Sequence, residues 1–261
     1  RLEKRIEDVV KLISEAQQED GYLNVHFTVV APEKHWSNLR DQHELYCAGH
    51  LMEASVAHLE ATGRREFLDV MCRYADYIAS VFGKGRKQKR GYPGHEEIEL
   101  ALVKLYRATG RRSYLDLAKF FVDERGRSPH YFDREARERG EDPIRFGGHD
   151  YFQAHLPVRE QETAEGHAVR ACYLYAGMAD VAAETGDREL LVACRRLWKN
   201  ITEKRMYIHG GIGSSRFGER FTIDYDLPNE EAYAETCAAI ALVFFAHRMV
   251  QIDTDRQYSD V

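Results

Sequence analysis

Cysteine is scarce. Five residues of 261 (Cys47, Cys72, Cys172, Cys194 and Cys237) lie far apart, too few and too scattered to staple a chain of this length. Reduced thiols are the simpler reading, which favours a reducing compartment and a cytoplasmic setting. No apolar run reads as long enough to cross a bilayer, so a membrane partner is not expected. Concentrated positive charge is missing too. The one basic cluster, "GKGRKQKR" at residues 83–90, reads as a solvated loop in a chain of net charge -6, which argues against nucleic acid as a partner. Alternating strand patterns are nearly absent, with short strands expected only near "GYLNVHFTVV" (21–30) and "RFTIDYDL" (220–227). An initiator methionine is lacking as well. The chain opens on Arg1 inside a helical pattern, so further residues are expected upstream, and the lack of a targeting segment carries no weight.

What is present is a globular composition, 44% hydrophobic and 31% charged, with charges interspersed. Three segments share one shape: residues 43–83, 94–126 and 166–205. Each is an apolar helix ending in Thr-Gly, then two polar residues, then a more amphipathic helix. Gly63, Gly110 and Gly186 suit the left-handed position that ends a helix, and the short turn sends the next helix back antiparallel. One helical hairpin repeated implies a stacked or closed α/α array. The apolar first helix of each pair should be inner and the amphipathic second outer. Residues 1–18 read as an outer helix without its inner partner, and 230–250 as an inner helix without its outer one. The pattern gives about eight helices. Long connections at 126–160 and 205–229 are where function is expected.

Inner helices of such an array run parallel, so their N-termini share one rim. They begin with His43, His95, His167 and the pair Glu235/Cys237. A single histidine at a helix start is usually a cap or a surface residue, but the recurrence at equivalent repeat positions points to one mouth. His43, Cys47, His50, Ala54 and Ala57 also share a helical face, as do His167, Ala171, Leu174, Met178 and Val181. Glu235/Cys237 admits three readings: a helix-end carboxylate beside a small buried thiol, two ligands of a metal such as zinc, or a thiolate nucleophile activated by the helix N-terminus. "HELYC" (43–47) falls short of a zinc-protease helix because Cys47 stands where the second histidine belongs, so a peptidase is not expected. "HGGIGSSRFGE" (209–219) lacks the Lys-Ser/Thr ending of a phosphate loop. It reads as a close-approach loop delivering Glu219, a candidate general acid/base, against the default of a solvated loop charge.

Five stretches, at residues 43–58, 91–110, 155–187, 209–221 and 225–242, together resemble glycoside hydrolase family 127, the β-L-arabinofuranosidases, in order along essentially the whole chain. The resemblance implies an all-α (α/α)6 toroidal catalytic domain followed by β-sandwich domains, and a retaining hydrolase. In that family a zinc-bound cysteine is the nucleophile, a glutamate is the acid/base and histidines line the sugar pocket. Carried over by motif, Glu219 matches the acid/base, Glu235 and Cys237 match two of four zinc ligands, and His43, His95 and His167 match the sugar-contacting histidines. Cys237 is then a ligand, not the nucleophile. The implied substrate is an oligosaccharide ending in L-arabinofuranose, and a homodimer is left open. The family's remaining ligands are an adjacent cysteine pair further on, and this chain has none. The expectation is therefore a partial toroid over 1–261, without the β-sandwich domains, that does not complete the cycle by itself. Two other classes stay open: a non-catalytic carbohydrate-binding toroid, and a related hydrolase or lyase acting on another sugar.

Overall fold

The computed structural model describes residues 2–144 and 146–261. Its α-helices, in chain order, are α1 (Leu2–Ala16), α2 (Val25–Val29), α3 (Glu44–Thr62), α4 (Glu66–Val81), α5 (Ile98–Thr109), α6 (Arg112–Glu124), α7 (Tyr131–Glu138), α8 (Ala168–Thr185), α9 (Arg188–Lys204) and α10 (Thr236–Asp253). The eight long helices are those the repeat pattern anticipates; α2 and α7 are short additions. Among the described residues β-structure is limited to isolated bridges. The strand expected at 21–30 is instead α2. Its extended Asn24 accepts a hydrogen bond from the Phe27 N–H at 3.2 Å, and that side-chain cap starts a helix where β-branched residues alone suggested a strand. Residues 220–227 form turns, with Arg220 alone in bridges.

The Thr-Gly repeat is a physical joint used three times. Thr62, Thr109 and Thr185 turn their hydroxyls back to the carbonyls of His58, Leu105 and Val181. Gly63, Gly110 and Gly186 follow at φ 72°, 73° and 69°, and each N–H reaches a carbonyl four residues earlier. A Cβ at any of the three would meet nothing within 4 Å, so glycine is needed there for its backbone conformation alone.

The joints fold α3–α4, α5–α6 and α8–α9 into hairpins. α3, α5, α8 and α10 pack side by side as the inner layer, with α4, α6 and α9 outside them. The inner helices approach closely through small residues. A Cβ on Gly49 of α3 would come within 2.7 Å of Glu97 Cγ and 2.9 Å of the Ile98 nitrogen, and one on Gly177 of α8 within 2.9 Å of Glu99 Cβ. α8, wedged between α5 and α10, is buried from Ala168 to Ala182. Each fully buried Leu or Phe of this layer contributes roughly 1.5–3 kcal/mol. Asp180 ties three inner helices together, accepting from Arg107 of α5 at 3.0 Å and Arg248 of α10 at 2.8 Å.

α10 departs from the reading of apolar runs, because by length and composition it could cross a membrane. Here its buried stripe, including Ala241, Phe245 and Met249, faces the core, and it packs against α8. α1 leans on α4 but buries no residue, leaving Leu2, Val9 and Leu12 exposed.

Candidate functional site

The N-terminal ends of the inner helices converge as the parallel-helix argument requires. His43 caps α3, His167 caps α8, and His95 sits just ahead of α5. Their rings follow one another at centroid distances of 5.7 Å (His43 to His95) and 5.8 Å (His95 to His167). Glu235 is the N-cap of α10.

Glu219 reaches this rim from the loop between α9 and α10. The loop is pinned to the start of α8, since the Ala168 N–H donates to the Glu219 carbonyl at 3.0 Å and the Phe221 N–H to that of Gly166 at 2.9 Å. Glu219 itself has φ +51°, a left-handed conformation that costs a non-glycine residue about 1–3 kcal/mol and tends to occur where function holds it. Its two carboxylate oxygens are each engaged. Tyr233 Oη donates to Oε1 at 2.8 Å, and His167 Nε2 lies 2.9 Å from Oε2.

The tautomer of His167 follows from its other nitrogen. Nδ1 accepts the Arg170 backbone N–H at 3.3 Å, so Nε2 carries the hydrogen and donates to Glu219. Burial, and after it the Arg170 charge, lowers His167 to about 4, which makes this contact a neutral imidazole on a carboxylate. His95 is the mirror case. Its Nδ1 donates to the Glu96 carbonyl at 2.9 Å, which leaves Nε2 as a lone pair, and burial followed by Arg170 keeps its pKa well below the usual value. Desolvation and Arg170 lower His43 as well. The Tyr233 hydrogen bond is the largest influence holding Glu219 below the ordinary carboxylate range, while Glu235 is raised by burial and then by the Glu219 charge. Two neighbouring carboxylates thus have their proton affinities pushed apart.

Glu235 is extended (φ -67°, ψ 153°), so the rule that residues two apart on a helix diverge does not govern it. Glu235 Oε1 is buried with no hydrogen-bond partner. Ligand atoms of His167, Glu219 and Glu235 all lie within 4.8 Å of one another, a grouping that could hold a metal ion. A second such grouping, His50, Glu53 and Glu97, already has a cation, because Lys104 pairs with Glu53.

Sequence reasoning missed two participants. Tyr233 lies within the 225–242 stretch but has no role assigned there, and is found only through the loop that delivers it. Arg170 is 8% exposed, and its guanidinium lies 4.8 Å from the Tyr151 ring and 5.1 Å from that of Phe152. Its Nε and Nη1 are buried without partners. A charged residue in the otherwise apolar first turns of an inner helix was the available signal. A groove of about 740 Å³ on the outer face, against Arg159 and Arg196, touches none of these groups.

Comparison with known proteins gives one consistent result. The family model described as beta-L-arabinofuranosidase, GH127 catalytic domain, matches residues 1–261. The chain is 42% identical over 260 residues to the non-reducing end beta-L-arabinofuranosidase of Bifidobacterium longum subsp. longum, covering 97% of this chain and 40% of that protein. Among solved structures, a GH127 beta-L-arabinofuranosidase from Geobacillus stearothermophilus T6 is similar at 59% identity and TM-score 0.98, over 99% of this chain and 41% of the other. A second GH127 beta-arabinofuranosidase follows at 43% identity and TM-score 0.86, over 99% and 39%. The chain therefore spans about two fifths of the length of these relatives.

Proposed function

The chain belongs to the GH127 β-L-arabinofuranosidase family, and from that premise we propose that it forms the sugar-binding half of a retaining glycosidase that removes terminal L-arabinofuranose from glycans. The observation that carries the reading is the Glu219 carboxylate, engaged by His167 and Tyr233 and set beside Glu235 at the histidine rim.

In this role Glu219 is the acid/base. It gives a proton to the departing glycosidic oxygen and then takes one from the water that releases the sugar. His167, neutral and donating through Nε2, fixes the orientation of the carboxylate and stabilises the anion left once its proton has gone to the leaving oxygen, the form that activates water. His43 and His95, held neutral, offer a lone pair or an N–H to sugar hydroxyls without adding charge to a neutral ligand.

Glu235 and Cys237 suit two ligands of a zinc ion. Glu235 has a buried, unpartnered oxygen, Cys237 follows two residues later in the first turn of α10, and carboxylate and thiolate are both accepted zinc donors. Zinc there would keep a bound sulfur as thiolate, the form that is nucleophilic. The five unpaired thiols are in keeping with a reducing, cytoplasmic setting.

The test is hydrolysis of an aryl β-L-arabinofuranoside by the full-length gene product, with the anomer of the first-formed sugar read by NMR. Turnover with retention that Glu219→Gln abolishes is expected. Inversion, or a Glu219→Gln variant of wild-type rate, would sink the assignment.

A further inference from the structure

Two tyrosines that no motif singles out lie against the histidine rim. Tyr46, one turn into α3, has its ring 4.3 Å from His95, 4.4 Å from His50 and 5.5 Å from His43. Tyr173 projects from the second turn of α8, with its ring 6.1 Å from His95, 6.2 Å from His50 and 5.8 Å from Phe244. Tyr46 is half-buried and Tyr173 is 8% exposed.

Buried tyrosines normally place their hydroxyl on a partner. Tyr22 and Tyr114 do so here, on Glu44 and Asp76. Tyr74, Tyr92 and Tyr175 bury theirs unpartnered in the core. Tyr46 and Tyr173 do neither: among the described residues neither phenol has a hydrogen bond, and neither oxygen is among the sealed ones. Both rings come from different inner helices and meet on the same histidines.

We propose that Tyr46 and Tyr173 are substrate-positioning residues, forming the aromatic floor of the sugar pocket and donating hydrogen bonds from their hydroxyls to hydroxyls of the bound furanose. This rests on the glycosidase reading above. An aromatic face suits the C–H surface of a sugar ring, and free phenol O–H groups at its edge supply orientation, the usual division of labour in a small-ligand site. Beneath the floor, Glu97 is fully buried and lies 3.2 Å from His50 Nδ1, and His50 meets Tyr46 edge to face. This stack fixes the Tyr46 ring from below. Burial, followed by the Glu97 charge, raises the pKa of both phenols, so they stay protonated as donors.

Phenylalanine is the clean probe, since it keeps the ring packing and deletes only the hydroxyl. Tyr46→Phe, Tyr173→Phe and the double variant are made in the full-length protein. Two quantities are read: KM and kcat for the aryl β-L-arabinofuranoside, and calorimetric affinity for free L-arabinose. Each single change is expected to weaken L-arabinose binding and raise KM by roughly 3- to 10-fold, with kcat and Tm nearly unchanged, as for a lost neutral hydrogen bond made in ground and transition states alike. A wild type that binds L-arabinose without turnover, with binding weakened in the variants, keeps the floor and overturns the reaction. Wild-type affinity and KM in all three variants overturn the floor.

Discussion

The mouth of this helical array has two halves that differ in how far their polar groups are satisfied. On the side of α5 and α8, the carboxylate and two histidines are engaged, while Arg170 keeps two buried nitrogens without hydrogen bonds. Glu219 binds Tyr233 and His167, His167 also accepts a backbone N–H, and His95 donates to a carbonyl. At the head of α10, Glu235 keeps a buried oxygen without a partner and Cys237 stands exposed beside it. The first half is a rigid hydrogen-bonding frame, already set to hold a neutral ligand. The second has donor atoms in place and coordination capacity left over, as expected of part of a metal centre.

Breaking the engaged half should cost most. Glu219→Gln removes the titratable group and is expected to lower kcat by about 10³-fold or more, measured on the aryl glycoside in the full-length protein; a loss under tenfold would mean another group carries the proton. The unsatisfied half is tested by Cys237→Ala. Bound zinc, read by elemental analysis after dialysis, should fall by more than the roughly 100-fold in affinity that loss of an outer partner causes. Unchanged zinc content would return Cys237 to the role of a surface thiol.

A subtler change sharpens the contrast. His167→Asn takes away the Nε2 donor while leaving a polar group at the helix cap. Activity should fall about 10- to 100-fold, the range for a lost hydrogen bond to a charged group, and zinc content should not move. If zinc is lost as well, the two halves are one site rather than two.

The smallest effects concern the frame beneath. Gly49→Ala forces a Cβ against backbone of the α5 entrance and should cost roughly 2–3 kcal/mol by denaturant unfolding. Gly110→Ala meets no atoms and should cost only about 1–2 kcal/mol, from its left-handed backbone alone. Equal costs would show that close helix approach is not what Gly49 provides.

Much of the frame was legible beforehand because it is periodic. The Thr-Gly joints and the eight long helices follow from local rules that repeat, and three repeats give three chances to see them. α2 escaped because a single asparagine cap decides it, against a run of residues that favour strands. In the site, the residues at repeat-equivalent positions (His43, His95, His167 and Glu235) could be anticipated and do converge. Tyr233 and Arg170 could not, since each owes its place to a non-repeating contact: a phenol brought in by a turn after Pro228, and a guanidinium slotted against Tyr151 and Phe152.

The three Thr-Gly joints all lie at the end of the array away from the mouth, while the connections that carry Glu219 and the histidines lie at the other. Turnover of sequence in those long connections can therefore reshape ligand choice without disturbing the scaffold's corners. For the protein engineer the same asymmetry offers a quiet face. A fluorophore or affinity peptide spliced after Gly110 would sit the length of α5 from the mouth, about 18 Å for its 12 residues at the helical rise, and would report on the scaffold without entering the chemistry.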